Sequence, residues 1–510
     1  MSVFHAHDPR TGAPLGPAVH EDGPIEVDAA VAGAVRASTD IAGLAPEARA
    51  ELLERIATEL DATAEELVAR ADAETALGSV RLTGELARTT SQLRAFAGVV
   101  RDGAHLGVVI DHADATRTPA QPDLRRTLVP LGPVVVFGAS NFPLAFGVAG
   151  GDTASALAAG CPVVAKAHPS NAGTSALLAE AIAASLTALG LPQGVFGLLQ
   201  GAGHEVGAAL VTHPDITAVG FTGSLAGGRA LHDLAAARAV PIPVFAEMGS
   251  HNPVWVTPAA LARRGPAIAA AIGASATLGA GQFCTRPSVV FLPADDLAAA
   301  EGFGVALAET MAAATMPPML DARISAAFLD RRARLRAIDG VRSLDAAGSG
   351  SDASDATVLH CDLATWRTSA LVREECFGPL VVVVPVEVRE LVATCDEVPG
   401  GLTASVWSEP EDPTDLALAR AIVDRVTRRV GRVLHDGVPT GVAVSWAQQH
   451  GGPYPATTAA STTSVGMHAI DRFLRPVAFQ DMPAAMLPPW LHDDNPWRLP
   501  RRVDGVLELP

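Results

Sequence analysis

A thiol, a carboxylate, an amide and an amine stand in sequence surroundings that suit chemistry. Cys284 lies in "GAGQFCTRP", after a glycine turn and before an apolar run. A thiolate there can attack an electrophilic carbon, although a cysteine can equally serve as a small buried apolar residue. Glu247, in "FAEMGSHNP", ends an apolar stretch beside a glycine. Such a carboxylate either caps a turn or works as a base. Asn141, in "GASNFP", shapes its turn or offers an amide to a developing oxyanion. Lys166, in "CPVVAKAHPSN", is the only lysine in a chain with 37 Lys+Arg. Arginine supplies every other side-chain ammonium-type charge. A compact ammonium on a thin stem fits where a wide planar guanidinium does not, and the alternative is compositional accident. Together the four residues suggest thiol chemistry beside a nucleotide site.

These residues need elements to position them. From residue 133 short apolar runs alternate with helical patterns. "PVVVFG" is a first buried strand and "GVAGGDTASALAAG" a small-residue helix. "PVVAK", "GVFGLLQ", "ITAVGF" and "IPVFAE" follow as four more strands, with helices between them. This rhythm predicts a parallel, doubly wound sheet, which binds ligands at the carboxyl ends of its strands. Asn141 falls just past the first strand, Lys166 ends the second and Glu247 ends the fifth. "FTGSLAGG" follows the fourth, and backbone N–H groups near Gly223 and Ser224 could hold a phosphate. "GAGHEVG" has its last glycine one residue late for a dinucleotide fingerprint and reads better as a plain turn.

Upstream, residues 1–24 read as turns or a hairpin, followed by helices near 27–38, 46–74 and 80–100. Downstream, two helices are expected near 296–340, a polar loop at 340–358, strands at "GPLVVVVPV" and "TASVWS", and a helix at 413–430.

The chain has 510 residues, 49% apolar and 18% charged, enough for two or three domains with large cores. Its net charge of -18 argues against nucleic acid and anionic membrane as partners. The five cysteines show no paired metal-ligand spacing, so no metal is expected, and their odd number suits a reducing cytosol. The N-terminus lacks a secretory pattern. The uncharged run 127–151 is interrupted by Pro130, Pro133, Asn141 and Pro143 and reads as buried strand and turn, not a membrane span. A cytoplasmic location is therefore expected.

Six ordered motifs, "GASNFP", "VVAKAHPS", "FTGS", "EMGS", "GAGQFC" and "EECFGP", resemble those of the aldehyde dehydrogenase superfamily over residues 25–480. "GGDTASALAAG", "HGGPYPATT" and "FLRPVAFQDMP" resemble the branch containing 2,5-dioxopentanoate (α-ketoglutaric semialdehyde) dehydrogenases and NADP-dependent fatty aldehyde dehydrogenases, with the former nearer. The resemblance implies that Cys284 is the nucleophile. Asn141 and the Cys284 N–H hold the oxyanion, and Glu247 activates water for thioester hydrolysis. Lys166 binds the adenosine ribose or its 2′-phosphate, Gly223 and Ser224 approach the pyrophosphate, and Glu375 and Phe377 position the nicotinamide end. Ser140 replaces the family's common tryptophan beside that end of the cofactor. Pro169 stands where NAD-preferring members often carry a glutamate, and His204 stands where an NADP-selective member would carry arginine. NADP is the cofactor expected, with NAD possible. Phe142, Phe146 and Phe283 would line an apolar tunnel, Arg286 would meet a substrate carboxylate, and Tyr454 would close the tunnel mouth or simply pack.

The fold implied is α/β: a Rossmann-type cofactor domain (1–105 and 129–247), an α/β catalytic domain (248–435), and a small β oligomerisation unit (106–128 and 436–510). The partners implied are an aldehyde and further copies of the chain, as a homodimer or homotetramer. Two other activities use the same residues differently. A CoA-acylating enzyme would have no need of Glu247, and a non-catalytic scaffold would have no need of Cys284, Asn141 and Glu247 together.

Overall fold

The computed structural model describes residues 2–345 and 355–510, so the middle of the polar loop expected at 340–358 lies outside them. Three larger sheets organise the chain. The first has five strands, all parallel, in the spatial order Phe196–Leu199, Val163–Lys166, Val134–Phe137, Ala218–Thr222, Val244–Glu247. Chain direction across the sheet reverses at Val134–Phe137, so a crevice opens beside that strand's carboxyl end. The helix Gly151–Ala159 is buried at every residue. Its small side chains let it lie between the sheet and the helix Ser79–Asp102, where a Cβ on Gly151 would come within 2.7 Å of Gln92. Leu52, Leu53, Ile56, Leu93 and Phe96 from the preceding helices share one core with Val134 and Val163.

The second sheet has seven strands. Asn252–Val256, Pro287–Pro293, Leu380–Val386 and Gly401–Trp407 form its parallel centre. Trp255 stacks on Phe291, whose edge meets Trp366. The third sheet joins Val108–Asp111 and Leu124–Pro130 to the tail strands Leu474–Gln480, Arg501–Val503 and Val506–Glu508.

Several expected boundaries shift. The helix expected at 46–74 is two helices, Pro46–Ala62 and Ala64–Thr75. Thr63 breaks it, with its hydroxyl donating back to the Glu59 carbonyl at 3.0 Å, a bond that bends helices. The helix expected at 413–430 ends at Val426, and Val430–His435 forms a strand on the seven-stranded sheet.

The tail does not belong wholly to the small sheet. Residues 450–458 run along the outer strand of the five-stranded sheet, where Met248 N–H donates to Ala456 O (2.8 Å) and Thr458 N–H to Ala246 O (3.2 Å). Residues 467–473 then pack into the core beneath it. Arg472 Nη2 meets Asp152 Oδ1 at 2.7 Å, and the two side chains are only 1% and 8% exposed. Arg472→Ala should therefore destabilise the protein by about 3–5 kcal/mol, because it strands a buried carboxylate. Arg472→Ala/Asp152→Ala should recover part of that loss. Denaturant midpoints of the four proteins in this cycle measure the coupling; additive effects would show that the pair does not hold the tail.

Candidate active site

The nucleophile candidate sits on a turn that only a special backbone can make. Gly279, Ala280 and Gly281 all have positive φ, at 57°, 55° and 68°. A Cβ on Gly281 would press within 2.4 Å of the Gly378 backbone, so glycine is required for this turn to meet "CFGP". Ala280 tolerates its strained φ while fully buried. The turn delivers Cys284 at the head of Pro287–Pro293. Asn252 fixes it there: its Nδ2 donates to the carbonyls of Cys284 (2.8 Å) and Arg286 (2.9 Å). The Oδ1 of Asn252 accepts from Ser250 Oγ and from Thr403. Sequence reasoning passed over Asn252 although "EMGSHNP" contains it.

Asn141 reaches the same loop, its Nδ2 donating to Gln282 O at 2.9 Å. One amide hydrogen remains for another acceptor. Among the described residues the Cys284 N–H has no protein acceptor. Two donors thus converge beside Sγ.

The structure adds a residue that sequence reasoning missed. His450, the first residue of "HGGPYPATT", places Nε2 3.4 Å from Cys284 Sγ and Nδ1 3.0 Å from Glu247 Oε2. Ser464 Oγ also meets Nδ1, and Thr463 Oγ1 accepts the His450 N–H. Both His450 and Glu247 are buried. Burial opposes charge on His450, yet the facing Cys284 sulfur and Glu247 outweigh it and push the imidazole up to about 10. Burial holds Glu247 above the usual carboxylate range, against the His450 hydrogen bond. Cys284, His450 and Glu247 therefore form a line of proton-handling groups from three separate segments.

Phe142, Phe146 and Phe283 come together, with ring centroids 5.6 Å (142–146) and 5.0 Å (142–283) apart. Two expected substrate contacts lie elsewhere. Arg286 is 2% exposed, and its guanidinium donates to the carbonyls of Pro287, Leu380 and Cys376. It is a buried strut for the "EECFGP" loop, with three of its five N–H groups held by backbone carbonyls. Tyr454 is 55% exposed and interacts with Arg229 on the helix Leu225–Ala236, away from the phenylalanines. The pairing of 456–458 along the outer strand pulls it there.

At the other end of the crevice, Lys166 is buried and Nζ donates to Gly201 O at 2.5 Å, leaving two N–H groups. Burial, with Arg323 nearby, pushes its amine down to about 8. Ser224 caps the helix Leu225–Ala236 by accepting from the Gly227 N–H at 3.1 Å, which turns the positive helix end toward the strand ends. Thr222 Oγ1 is buried there with no hydrogen-bond partner among the described residues. An unsatisfied hydroxyl beside a helix N-terminus and a buried ammonium fits an anionic dinucleotide. Ser140 lies in the turn before Asn141, and exposed His204 caps Glu205–Thr212 next to the Gly201 loop. Glu375 faces Gly249, where a Cβ would collide with its carboxylate, and burial pushes it up to about 7. Phe377 follows, half-buried. A cleft of about 780 Å³ beyond Ser170 is lined by Phe4, His7, Ala202 and Arg323.

Among the described residues no helix is long and apolar enough to cross a membrane. The profile of the Aldehyde dehydrogenase family matches residues 2–453. The chain is 45% identical to alpha-ketoglutaric semialdehyde dehydrogenase 2 of Azospirillum brasilense, over 99% of this chain and 96% of that one. It is 42% identical to alpha-ketoglutaric semialdehyde dehydrogenase of Acinetobacter baylyi, over 94% and 91%. Its fold matches lactaldehyde dehydrogenase from Escherichia coli with a TM-score of 0.80 at 21% identity, over 94% of this chain and 96% of that one. It matches a mutant aldehyde dehydrogenase C from Pseudomonas syringae, complexed with NAD+ and octanal, with a TM-score of 0.78 at 22% identity, over 95% of each chain. A thiol on a glycine turn, a buried carboxylate and a dinucleotide crevice thus coincide with near-complete relationship in sequence and fold: the chain belongs to the aldehyde dehydrogenase family, the NAD(P)-dependent oxidoreductases of aldehydes.

Proposed function

We propose that the protein oxidises 2,5-dioxopentanoate to 2-oxoglutarate, with NADP as its preferred cofactor. The observation that carries the chemistry is the line Cys284–His450–Glu247 beside the convergent donors of Asn141 and Cys284. The near-full-length identity to two α-ketoglutaric semialdehyde dehydrogenases supports the substrate.

Cys284 Sγ adds to the aldehyde carbon as a thiolate, its proton already held on His450 Nε2. The carbonyl oxygen becomes an oxyanion held by Asn141 Nδ2–H and the Cys284 N–H. Bound NAD(P) supplies the hydride acceptor. Once the thiohemiacetal is oxidised, Glu247 takes a proton from water as it adds to the thioester, and the C–S bond breaks to return the thiolate and release the carboxylic acid. A base of raised affinity suits that step at neutral pH. Residues Lys166, Gly223, Ser224, Glu375 and Phe377 would hold the dinucleotide, with Ser140 and His204 beside it. Pro169 presents no carboxylate to a 2′-phosphate, and Arg323 adds a second cation near Lys166. The small sheet ends in the exposed strands Leu474–Gln480 and Val506–Glu508, open edges that suit pairing with further copies of the chain as a dimer or tetramer.

Glu247→Gln should give one burst of reduced cofactor with 2,5-dioxopentanoate and then stall as thioester. Rapid-mixing absorbance checks this; normal steady-state turnover would remove Glu247 from deacylation, and release of the stall by CoA would favour acyl transfer. His450→Asn should slow alkylation of Cys284 by iodoacetamide at pH 7 by roughly 10²-fold, because the sulfur loses the imidazolium that favours its ionised form. Cys284→Ala provides the unlabelled control, and an unchanged rate in His450→Asn would exclude proton transfer to the imidazole.

A hydrogen bond to a charged group contributes about 1.5–3 kcal/mol. Lys166→Ala should therefore weaken NADP binding by roughly tenfold to over a hundredfold, and NAD binding less. Lys166→Arg should weaken NADP despite keeping the charge, because a guanidinium is too wide for the strand end. Titration by fluorescence or calorimetry measures both; equal losses for the two cofactors would limit Lys166 to the ribose.

A further inference from the structure

The helix Ser79–Asp102 turns an unusual face toward the active site. Arg81, Glu85 and Arg88 are spaced so that they lie along one side of it. That side packs against the three tunnel phenylalanines. Arg81 Cζ lies 4.8 Å from the ring centroids of both Phe142 and Phe283, and Arg88 Cζ lies 5.1 Å from that of Phe146. Charged groups in such a place are costly unless something compensates them.

The compensation within the chain is incomplete. Glu85 is buried, and its Oε1 is taken by the N–H groups of Leu144 (2.8 Å) and Ala145 (3.0 Å). Its Oε2 has no hydrogen-bond partner among the described residues. Arg81 uses Nη2 on the Asn141 carbonyl at 2.7 Å, while its buried Nη1 has no partner. Two guanidiniums and one carboxylate leave an excess of positive charge on this wall.

Three cations act electrostatically on Cys284: Arg88, Arg432 and His450. Two are held by the chain. Arg432 donates from both Nη atoms to the carbonyls of Pro439 and Gly441, which leaves only a buried Nε without a partner among the described residues, and His450 lies between Glu247 and Cys284. Among the described residues Arg88 makes neither a hydrogen bond nor an ion pair within 4 Å; its guanidinium lies over the face of Phe146, with Glu85 acting on it at longer range. Stacking on a ring leaves the N–H edge of a guanidinium available for a planar anion.

We propose that Arg88 receives the carboxylate of an aldehyde acid while the aldehyde carbon lies at Cys284 Sγ, with Arg81 bracing the aromatic wall between them. The inference rests on Cys284 being the nucleophile, and it replaces the role that Arg286 cannot fill. It makes the enzyme selective for short aldehydes bearing an anionic end over neutral aldehydes of the same length.

The test compares the parent protein, Arg88→Met and Arg88→Lys on 2,5-dioxopentanoate, 5-oxopentanoate and neutral pentanal. The parent should prefer the two acids. In Arg88→Met the ratio of kcat/KM for the acids to that for pentanal should fall by about 10- to 100-fold, the range for a hydrogen bond to a charged group. Most of the fall should appear in KM. Arg88→Lys should recover part of the ratio. Equilibrium binding of 2-oxoglutarate, followed by calorimetry, should weaken by a similar factor in Arg88→Met. Equal losses on acids and pentanal, or unchanged 2-oxoglutarate binding, would overturn the assignment. A parent protein inactive on all three aldehydes would instead overturn the nucleophilic role of Cys284, a distinguishable failure. Circular dichroism of Arg88→Met guards against misfolding, and should it misfold, the Arg88→Lys ratio alone decides: an acid-to-pentanal ratio equal to the parent's refutes the contact.

Discussion

The contact on which the site depends is the imidazole of His450 held between Glu247 and Cys284. Its three members come from three structural settings: the outer strand of the parallel five-stranded sheet, the turn before a central strand of the seven-stranded sheet, and the tail. The tail must zip along Val244–Glu247 to deliver the ring, and Asn252 must grip the peptide on either side of Thr285 to aim the thiol. Much of the architecture can be understood as enforcing this alignment. The buried Arg472–Asp152 pair anchors the segment that follows His450 beneath the same sheet.

Charge is distributed with equal economy. The chain as a whole carries a net charge of -18, yet cations line both ends of the crevice. Arg81 and Arg88 face the tunnel, and Lys166 and Arg323 face the far end. Low local dielectric makes the buried Lys166 more effective on an anion than the same group at the surface, while Arg323 acts from the exposed rim. The overall acidity therefore does not conflict with an anionic cofactor or substrate. It keeps nonspecific anions from the surface while the crevice retains a local positive field.

The parallel sheet was legible because its strands are short apolar runs between helices, and Lys166 and Glu247 fall at strand ends by simple counting. Cys284 and Asn141 were legible from glycine and proline turns around them. What escaped was long-range. His450 lies 203 residues from Glu247 and 166 from Cys284, and no local pattern announces that a tail loop will pair with the outer strand. Arg88 was hidden by its setting in a regular amphipathic helix, where an arginine reads as solvated. Arg286 misled for the opposite reason: proximity in sequence to the thiol suggested the tunnel, but backbone carbonyls hold three of its five N–H donors inside the core. The break at Thr63 is a single residue leaving helical backbone angles, a detail below the resolution of periodicity.

Lys166 also has a meaning for the chemistry of labelling. It is the chain's one side-chain amine, and burial brings it down to about 8 from the ordinary 10.5. Near neutral pH it therefore holds far more free base than an exposed lysine would. Imine-forming reagents meet, apart from the α-amine, a single primary amine in 510 residues. Where an ordinary protein yields a mixture of adducts, this one offers a stoichiometric mark at the sugar end of the crevice.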